Sequence, residues 1–328
     1  MVGEYEIEVY NNRVHYFLTV RRNITILQGD SATGKTELIR LILDYEANKA
    51  SSGITIKSDV QCTVLTSIDW KLRLSRLEDR IVFIDETADF IKSKEFALMV
   101  RGSNNYFVII TRDALSQLPY SVDEIYGLRN PSESSKYKSF KKVYNETYKL
   151  YNMELYNMEL DSELSPEVVI TEDTNSGFQC FSMLFGGICE AAGGKSKVYG
   201  MIREKEGQTI LVIVDGAAFG SEMGRIYRYL KYSGKECVIY APESFEYLIL
   251  KSGIIDVPFS VTEETFLHAD STKYMSWEEF YMDYLVQNTK DTVFQYKKSE
   301  LGSAYKSEKF LERINALLPE QIKSSTFL

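Results

Sequence analysis

The sequence predicts an α/β fold built from two successive strand–helix series. Short apolar runs alternate with amphipathic stretches in both halves, the pattern of parallel strands joined by helices. The composition changes between the halves, where a Pro-Ser-Glu-Ser-Ser loop sequence precedes two copies of Tyr-Asn-Met-Glu-Leu. With 328 residues, each half is long enough to bury its own core. Four parts are predicted: an α/β domain over 1–129, a linker over 130–165, a smaller α/β domain over 166–257 and a helical extension over 258–328.

The predicted elements follow in chain order. Residues 4–20 hold two alternating runs around Asn11-Asn12 and predict a β-hairpin. In the rest of the first domain, strands are predicted at 23–27, 61–66, 80–84, 106–110 and 123–128, and helices at 37–45, 72–78 and 93–101. In the second domain, strands are predicted at 168–171, 197–202, 209–214 and 236–240, with a helix at 177–191. The extension contains helical patterns over 276–288 and 303–318.

Composition excludes several classes of protein. The longest wholly apolar run has five residues, 210–214, whereas a membrane-spanning helix needs roughly 20. The acidic N-terminus lacks the basic-then-apolar order of a signal peptide, so we expect a cytoplasmic protein without membrane contact. Four cysteines without a CxxC pair indicate buried, reduced thiols, and only two histidines argue against a His-rich metal site and against a Ser-His triad. Any metal is expected to be a hard cation held by carboxylates.

A phosphate-loop pattern, Gly-x-x-x-x-Gly-Lys-Thr, stands between a predicted strand and a predicted helix. Its residues are Gly29, Asp30, Ser31, Ala32, Thr33, Gly34, Lys35 and Thr36. Glycines at both ends let the backbone curl so that several N–H groups face a phosphate. Lys35 is expected to reach the β- and γ-phosphates, and the Thr36 hydroxyl to bind Mg²⁺. The sequence therefore predicts a site for ATP with Mg²⁺.

Two further strand ends add polar groups to this site. The apolar run 80–84 ends at Asp85-Glu86, where Asp85 would hold Mg²⁺ and Glu86 would polarise an attacking water. The run 106–110 ends at Thr111-Arg112, a pair placed to sense the γ-phosphate. The alternative is that Asp85 and Glu86 are carboxylates at a solvated strand end without a role in nucleotide binding.

These motifs together resemble the additional-strand group of P-loop ATPases over residues 20–128. An ABC signature and a long coiled-coil insertion are both missing from the sequence, so the resemblance is to the compact AAA-like or RecA-like members. It implies ATP hydrolysis, and it implies a homo-oligomer because such sites are often completed at a subunit interface. The residue that would serve as an arginine finger is not assigned, and the candidates are Arg101, Arg112 and Arg129.

Acidic residues also follow two predicted strands of the second half. Val-Val-Ile-Thr precedes Glu172-Asp173, and Ile-Leu-Val-Ile-Val precedes Asp215, with Gly220 further on. This resembles the TOPRIM fold of topoisomerases, primases and nucleases of the overcoming-lysogenization-defect type. The family's Asp-x-Asp motif is broken here, because Ala217 replaces the second aspartate. Related nucleases carry another glutamate after the next strand, a place that Glu246 fills.

Carboxylates on neighbouring strand ends repel one another unless a cation lies between them. We therefore predict that Glu172, Asp215 and Glu246 hold Mg²⁺, which would activate water for phosphodiester cleavage. Glu222 or Glu243 would substitute for the aspartate missing at 217. The alternative is a TOPRIM-like domain without catalysis, since acidic residues are common at the carboxyl ends of parallel strands.

Two segments are candidates for nucleic-acid contact. Residues 136–142 interleave lysines with aromatic side chains, and five lysines lie within 290–309. A solvated helix or linker face is the simpler explanation of both segments. The aromatic residues of 277–284 recur at helical spacing and indicate packing.

The sequence thus predicts an ATPase whose nucleotide state controls a TOPRIM-like, Mg²⁺-dependent nuclease domain. Relatives with this pairing often act in bacterial defence against phage. Two alternatives remain open: an ATP-dependent regulator or scaffold with an inactive second domain, and a nucleic-acid motor that does not cut.

Overall fold

The computed structural model describes residues 1–29, 34–131, 142–151, 155–156 and 164–324. Its contacts divide the chain into two compact units. Unit 1 comprises Met1–Tyr151 and Thr265–Ser276, and unit 2 comprises Asn152–Glu264 and Trp277–Leu328. Both units are mixed α/β structures, as the sequence predicted.

Unit 1 contains nine strands and three α-helices among its described residues. The strands are β1 (Tyr5–Tyr10), β2 (Val14–Val20), β3 (Ile24–Leu27), β4 (Thr55–Lys57), β5 (Gln61–Val64), β6 (Arg80–Ile84), β7 (Asn105–Ile110), β8 (Ile125–Arg129) and β9 (Val143–Lys149). The helices are α1 (Lys35–Asn48), α2 (Trp70–Leu74) and α3 (Lys94–Val100). The predicted hairpin at 4–20 is confirmed as β1 and β2, which pair antiparallel.

One sheet joins all nine strands in the order β4-β1-β2-β9-β8-β3-β7-β6-β5. Its half from β8 to β5 is entirely parallel. Strands β3, β6 and β7 are almost wholly apolar and buried, as expected for parallel strands covered on both faces. Their polar residues therefore collect at the strand ends.

Helix α1 covers one face of this sheet. Leu38, Leu41 and Ile42 are fully buried and recur at the i, i+3, i+4 spacing of one helical face. They belong to a core that includes Phe83 and Val108 from the central strands. This packing fixes where the first turn of α1 lies, and so fixes Lys35.

The predicted boundaries of the first domain differ from those of unit 1. The predicted linker contains β9, which pairs with both β2 and β8. Residues 265–276, predicted to be part of the C-terminal extension, belong to unit 1, where the Asn23 amide donates to the Tyr274 carbonyl across 2.9 Å. Part of the Tyr-Asn-Met-Glu-Leu repeat lies outside the described residues.

Unit 2 contains five strands and seven α-helices among its described residues. The strands are β10 (Leu155–Tyr156), β11 (Val168–Thr171), β12 (Cys189–Ala191), β13 (Ile210–Ile213) and β14 (Cys237–Tyr240). The helices are α4 (Ser176–Leu184), α5 (Lys195–Glu204), α6 (Gly220–Ser233), α7 (Phe245–Lys251), α8 (Ser260–Glu263), α9 (Trp277–Thr289) and α10 (Glu308–Leu317). The sheet order is β10-β14-β13-β11-β12, parallel except at β10.

The predicted strand over 197–202 is wrong, because these residues lie within helix α5. Only Val198 and Ile202 are fully buried there, at the four-residue spacing of a helix face. The short run of apolar residues in this segment suggested a strand, whereas the spacing of its buried residues is that of a helix. The true neighbouring strand, β12, lies in the stretch predicted as the end of a helix.

Within the described ranges, the longest helices have 14 residues, and none combines the length and apolar character needed to cross a membrane.

The aromatic stripe over 277–284 does pack inward, since Phe280 and Tyr281 of α9 are buried.

Candidate functional site

The strand–loop–helix segment of unit 1 positions the two described ends of the phosphate-loop pattern. Residues 30–33 lie outside the described residues, so Asp30, Ser31, Ala32 and Thr33 stay predictions. Gly29 follows β3, and Gly34 directly precedes α1. The buried Lys35 begins the helix and donates from Nζ to the Gly29 carbonyl across 3.2 Å. Thr36 is exposed in the first turn.

Gly34 is required at this position by its backbone and by a neighbour. Its φ of 91° is a conformation that side-chain-bearing residues rarely adopt. A Cβ there would lie 2.7 Å from Tyr16 Oη, which donates to the Gly34 carbonyl across 2.9 Å. The Tyr16 ring is buried in the core, so it has little room to move away.

Asp85 lies level with the start of the phosphate loop. Ile84 pairs with Ile109 of β7, and Leu27 pairs with Ile110, so Asp85 and Leu27 stand opposite each other with one strand between them. Two strand spacings correspond to roughly 10 Å. Asp85 Oδ2 accepts a hydrogen bond from the Thr87 hydroxyl, whereas its buried Oδ1 has no hydrogen-bond partner among the residues that the structure describes. A buried carboxylate oxygen without a partner fits a cation ligand.

Glu86 and Arg112 meet at the ends of neighbouring strands. Arg112 Nε lies 3.5 Å from Glu86 Oε2, and both side chains are exposed. The Thr111 hydroxyl accepts from the Asp113 N–H across 3.0 Å and is buried, so it stabilises the turn after β7. Of the other arginines considered, Arg129 forms an ion pair with Glu146.

In unit 2, Glu172 and Asp215 follow the adjacent parallel strands β11 and β13. The Asp215 N–H donates to Glu172 Oε2 across 3.2 Å, and the Phe245 N–H donates to Asp215 Oδ1 across 3.1 Å. Both carboxylates line a cavity of about 20 Å³, room for about one water molecule or a small cation. Glu246 lines the same cavity, so the structure brings together the three carboxylates that the sequence predicted.

Glu246 is 1% exposed and lies in the first turn of α7. Its Oε1 accepts from the Tyr296 hydroxyl across 2.7 Å, and that hydroxyl is also 2.6 Å from Ser176 Oγ. Its Oε2 is buried and has no hydrogen-bond partner in the described part of the chain. Glu246 therefore has one oxygen fixed by neighbouring residues and one left for a ligand.

Sequence reasoning missed two charged residues of this site, Glu278 and Lys298. Lys298 lines the cavity and donates from Nζ to Glu278 Oε1 across 2.6 Å. Its carbonyl accepts from the Ser176 N–H across 3.0 Å, which fixes the segment in place. Glu278 is in the first turn of α9, beside the aromatic stripe, and Lys298 was counted among the lysines of 290–309. Neither position carries a motif that would reveal the pairing.

Burial and mutual repulsion raise the pKa values of these acids. Burial, followed by the charge of Glu278, raises the pKa of Glu172 to about 7. The same two causes raise the pKa of Asp215 well above its usual range, and burial raises the pKa of Glu246. Burial opposes the charged form of Lys298, yet the carboxylates of Glu278, Glu246 and Asp215 raise its pKa. The ammonium of Lys298 thus serves as a counter-ion to this group, which we call the carboxylate cluster (Glu172, Asp215, Glu246 and Glu278).

The predicted substitutes for the missing aspartate lie elsewhere. Glu222 pairs with Arg225 across 2.5 Å, and neither Glu222 nor Glu243 lines the cavity. Ala217 is buried, and its N–H donates to the Glu243 carbonyl across 3.0 Å. Among the described residues, no three acidic, histidine or cysteine side chains are arranged so that they could hold a metal ion. The predicted Mg²⁺ site of Glu172, Asp215 and Glu246 therefore stays a prediction.

Comparison with known proteins adds no family assignment. No protein-family model matches the chain, and no curated protein matches its sequence.

Proposed function

We propose that unit 1 binds ATP with Mg²⁺ and hydrolyses it. One observation carries the proposal: Asp85 Oδ1 is a buried carboxylate oxygen without a hydrogen-bond partner among the described residues, and it lies level with Leu27, two residues before the phosphate-loop sequence begins. Leaving a buried carboxylate oxygen without a partner costs free energy. Folding alone therefore gives no reason for such an oxygen at a strand end. A magnesium ion beside the nucleotide phosphates would satisfy it.

The strand order supports the same proposal. Strand β7 lies between β3 and β6, the arrangement for which the additional-strand group is named. The ends of β3, β6 and β7 consequently bring the phosphate loop, Asp85-Glu86 and Thr111-Arg112 to one edge of the sheet. Ligands of open α/β sheets bind at this carboxyl edge.

Each residue then has a distinct role. Thr36 and Asp85 would hold Mg²⁺, which neutralises charge on the phosphates. Lys35 begins α1 and would turn from the Gly29 carbonyl to the phosphates. Glu86 would orient the attacking water, with Arg112 beside it to hold its carboxylate.

ATP binding and turnover in the presence of Mg²⁺ test the proposal. Lys35→Ala and Asp85→Asn are expected to lose binding of Mg²⁺-ATP. Glu86→Gln is expected to bind ATP and to lose about 100-fold or more in turnover, the typical loss when a general base is removed. Asp89→Asn, a neutralised exposed acid near the same strand end, serves as the matched control. Equal turnover by Glu86→Gln and the parent would refute the role of Glu86.

A second candidate function concerns unit 2. We propose that the nucleotide state of unit 1 controls Mg²⁺-dependent phosphodiester cleavage by Glu172, Asp215 and Glu246. Their presence in one cavity and the unpartnered Oε2 of Glu246 favour it. The ammonium of Lys298 favours the competing regulator or scaffold, because it already offsets the negative charge that a metal ion would neutralise.

Cleavage assays separate the alternatives. They use single- and double-stranded DNA and RNA, with Mg²⁺ or Mn²⁺ and with or without ATP. Cleavage that Asp215→Ala abolishes supports the nuclease. Nucleic-acid-stimulated ATP turnover without cleavage supports a motor, and neither response supports a regulator. Protection against phage in a plaque assay tests the role in bacterial defence.

A further inference from the structure

Helices α5 and α6 concentrate positive charge in a chain whose net charge is −9. The two helices carry six basic residues and two acidic ones. The basic residues are Lys195, Lys197, Arg203, Arg225, Arg228 and Lys231, and the acidic ones are Glu204 and Glu222. A local excess of positive charge attracts an anionic partner that the net charge of the protein would repel.

Residues of these helices, all but one of them from α6, line an open groove of about 470 Å³. We call it the Arg-Tyr groove, and its lining residues are Tyr199, Arg225, Arg228, Tyr229, Tyr232 and Ser233. The Arg225 guanidinium lies 4.4 Å from the centre of the Tyr199 ring, and that ring meets Tyr229 edge-to-face at 5.6 Å. The groove therefore combines cations with aromatic surfaces.

The walls of the groove are held at both ends. Arg225 Nη2 donates to Glu222 on its own helix and to the Ser196 carbonyl on α5, across 2.5 and 3.2 Å. Beyond α6, Lys235 Nζ donates to the carbonyls of Ile202, Arg203 and Lys205 at the end of α5. Because these bonds fix α5 against α6, the groove is preorganised for a ligand.

Tyr232 is the most unusual residue of this surface. Its side chain is 80% exposed, near the C-terminal end of α6. The hydroxyl of a tyrosine can remain hydrated when its ring packs, so this exposure leaves much of the apolar ring surface in water, with the Lys231 ammonium 5.7 Å from the ring centre. A flat partner that stacks on the ring would bury this surface.

We propose that the Arg-Tyr groove binds single-stranded nucleic acid, with Arg225 and Arg228 contacting phosphates and Tyr232 stacking on a base. Binding of single strands combines a cationic groove with exposed aromatic rings. A duplex would present its phosphates but not its base faces, and an acidic peptide would leave the ring without a stacking partner. No lysine of the predicted segment 290–309 lines this groove, and residues 136–141 of the other predicted segment lie outside the described residues.

Fluorescence anisotropy with a labelled (dT)20 oligonucleotide, measured without nucleotide over a range of salt concentrations, tests the proposal on the full chain. Arg225→Gln combined with Arg228→Gln is expected to weaken binding and to lower the slope of log K against log salt by about 1.4, or 0.7 per phosphate contact. Tyr232→Leu is expected to weaken binding about tenfold without changing that slope. Tyr232→Phe keeps the stacking ring and should bind as the parent does.

Lys306→Gln combined with Lys309→Gln is the matched control, because it removes two exposed lysines of unit 2 outside the groove. The proposal is overturned if this control weakens binding as much as the arginine pair, or if (dT)20 does not bind. Equal competition by duplex DNA or by polyglutamate would also overturn it. These outcomes are independent of ATP hydrolysis, which the groove variants are expected to retain.

Discussion

Lys298 donates from Nζ to Glu278 Oε1 across 2.6 Å, at a cavity that Glu172, Asp173, Asp215 and Glu246 also line. The pair joins α9 to the segment that follows it, and that segment also brings Tyr296 to Glu246. The ammonium of Lys298 therefore balances the charges of Glu278, Glu246 and Asp215. Burying charges in this way costs free energy that only close pairing offsets, so the stability of unit 2 should depend on Lys298.

Lys298→Met should destabilise unit 2 by about 3 kcal/mol, because it leaves the carboxylate cluster without its counter-ion. Urea unfolding in the presence of EDTA measures this change. Lys297→Met is the matched control, since its exposed side chain lies one residue away, and it should change the free energy of unfolding by about 0.5 kcal/mol or less. Adding Mg²⁺ should restore part of the stability lost in Lys298→Met, because a divalent cation would take over the charge balance. A Lys298→Met protein as stable as the parent in EDTA would contradict this account.

The raised pKa of Glu172 predicts that unit 2 loses stability as pH rises. Burial and the charge of Glu278 raise this pKa to about 7 in the folded chain, against about 4.5 when unfolded. Between these pH values the folded chain binds more protons than the unfolded chain. The stability that protonated Glu172 contributes is therefore fully present below about pH 4.5 and is lost as pH rises through about 7. The loss is about 3 kcal/mol.

Unfolding in EDTA at pH 5 and pH 8 tests this for the parent and for Glu172→Gln. The glutamine keeps an oxygen to accept from the Asp215 N–H but does not titrate, so the variant should lose less stability between the two pH values. The same pH dependence in both proteins would show that Glu172 does not titrate as argued.

Gly34→Ala should abolish ATP binding and destabilise unit 1 by about 2 kcal/mol. Part of the cost is the backbone conformation, and part is the close approach of the new Cβ to Tyr16 Oη. Gly53→Ala provides the matched control, because Gly53 also has a positive φ, 67°, but no neighbour within 4 Å of its Cβ position. Thermal unfolding of both variants separates the two costs. In a Tyr16→Phe background the cost of Gly34→Ala should fall, and an unchanged cost would exclude the clash.

Glu124→Gln should destabilise unit 1 by about 3 kcal/mol. The Glu124 side chain is fully buried, and its Oε1 accepts from Arg21 and Arg22 across 3.2 and 3.1 Å. Removing one partner from a buried charge network is costly. The neighbouring Asp123→Asn is the control: its ion pair with Lys149 is partly exposed and contributes about 1 kcal/mol or less. Chemical denaturation of the two variants should therefore give clearly different midpoints.

Local patterns in the sequence predicted most strands of the two sheets because apolar runs ended at recognisable polar residues. The hairpin at 4–20 and the strand ends at Asp85, Glu172 and Asp215 were all found in this way. The segment 197–202 was mistaken because six residues are too short to distinguish a strand from one face of a helix.

Contacts between distant residues could not be predicted in the same way. Glu278 lies 106 residues after Glu172, and Lys298 lies 52 residues after Glu246, so only the packing of α9 and the following segment reveals that they share a site. The Arg-Tyr groove did carry a local signal that sequence reasoning missed: five of its six lining residues lie within 225–233 of α6, where basic and aromatic residues alternate, and only Tyr199 lies on α5.

Ala217→Asp tests whether unit 2 contains a degenerate cleavage site. Ala217 is buried two residues after Asp215, in a loop where a Cβ on Gly216 would lie 2.5 Å from the Ala241 carbonyl oxygen. A carboxylate placed there would add charge beside the carboxylate cluster, so the variant should be about 2 kcal/mol less stable than the parent in EDTA. Mg²⁺ should stabilise the variant more than the parent, because a cation would relieve the added repulsion. If cleavage also appears, the native site has lost an ancestral activity, whereas stabilisation by Mg²⁺ without cleavage would favour the regulator.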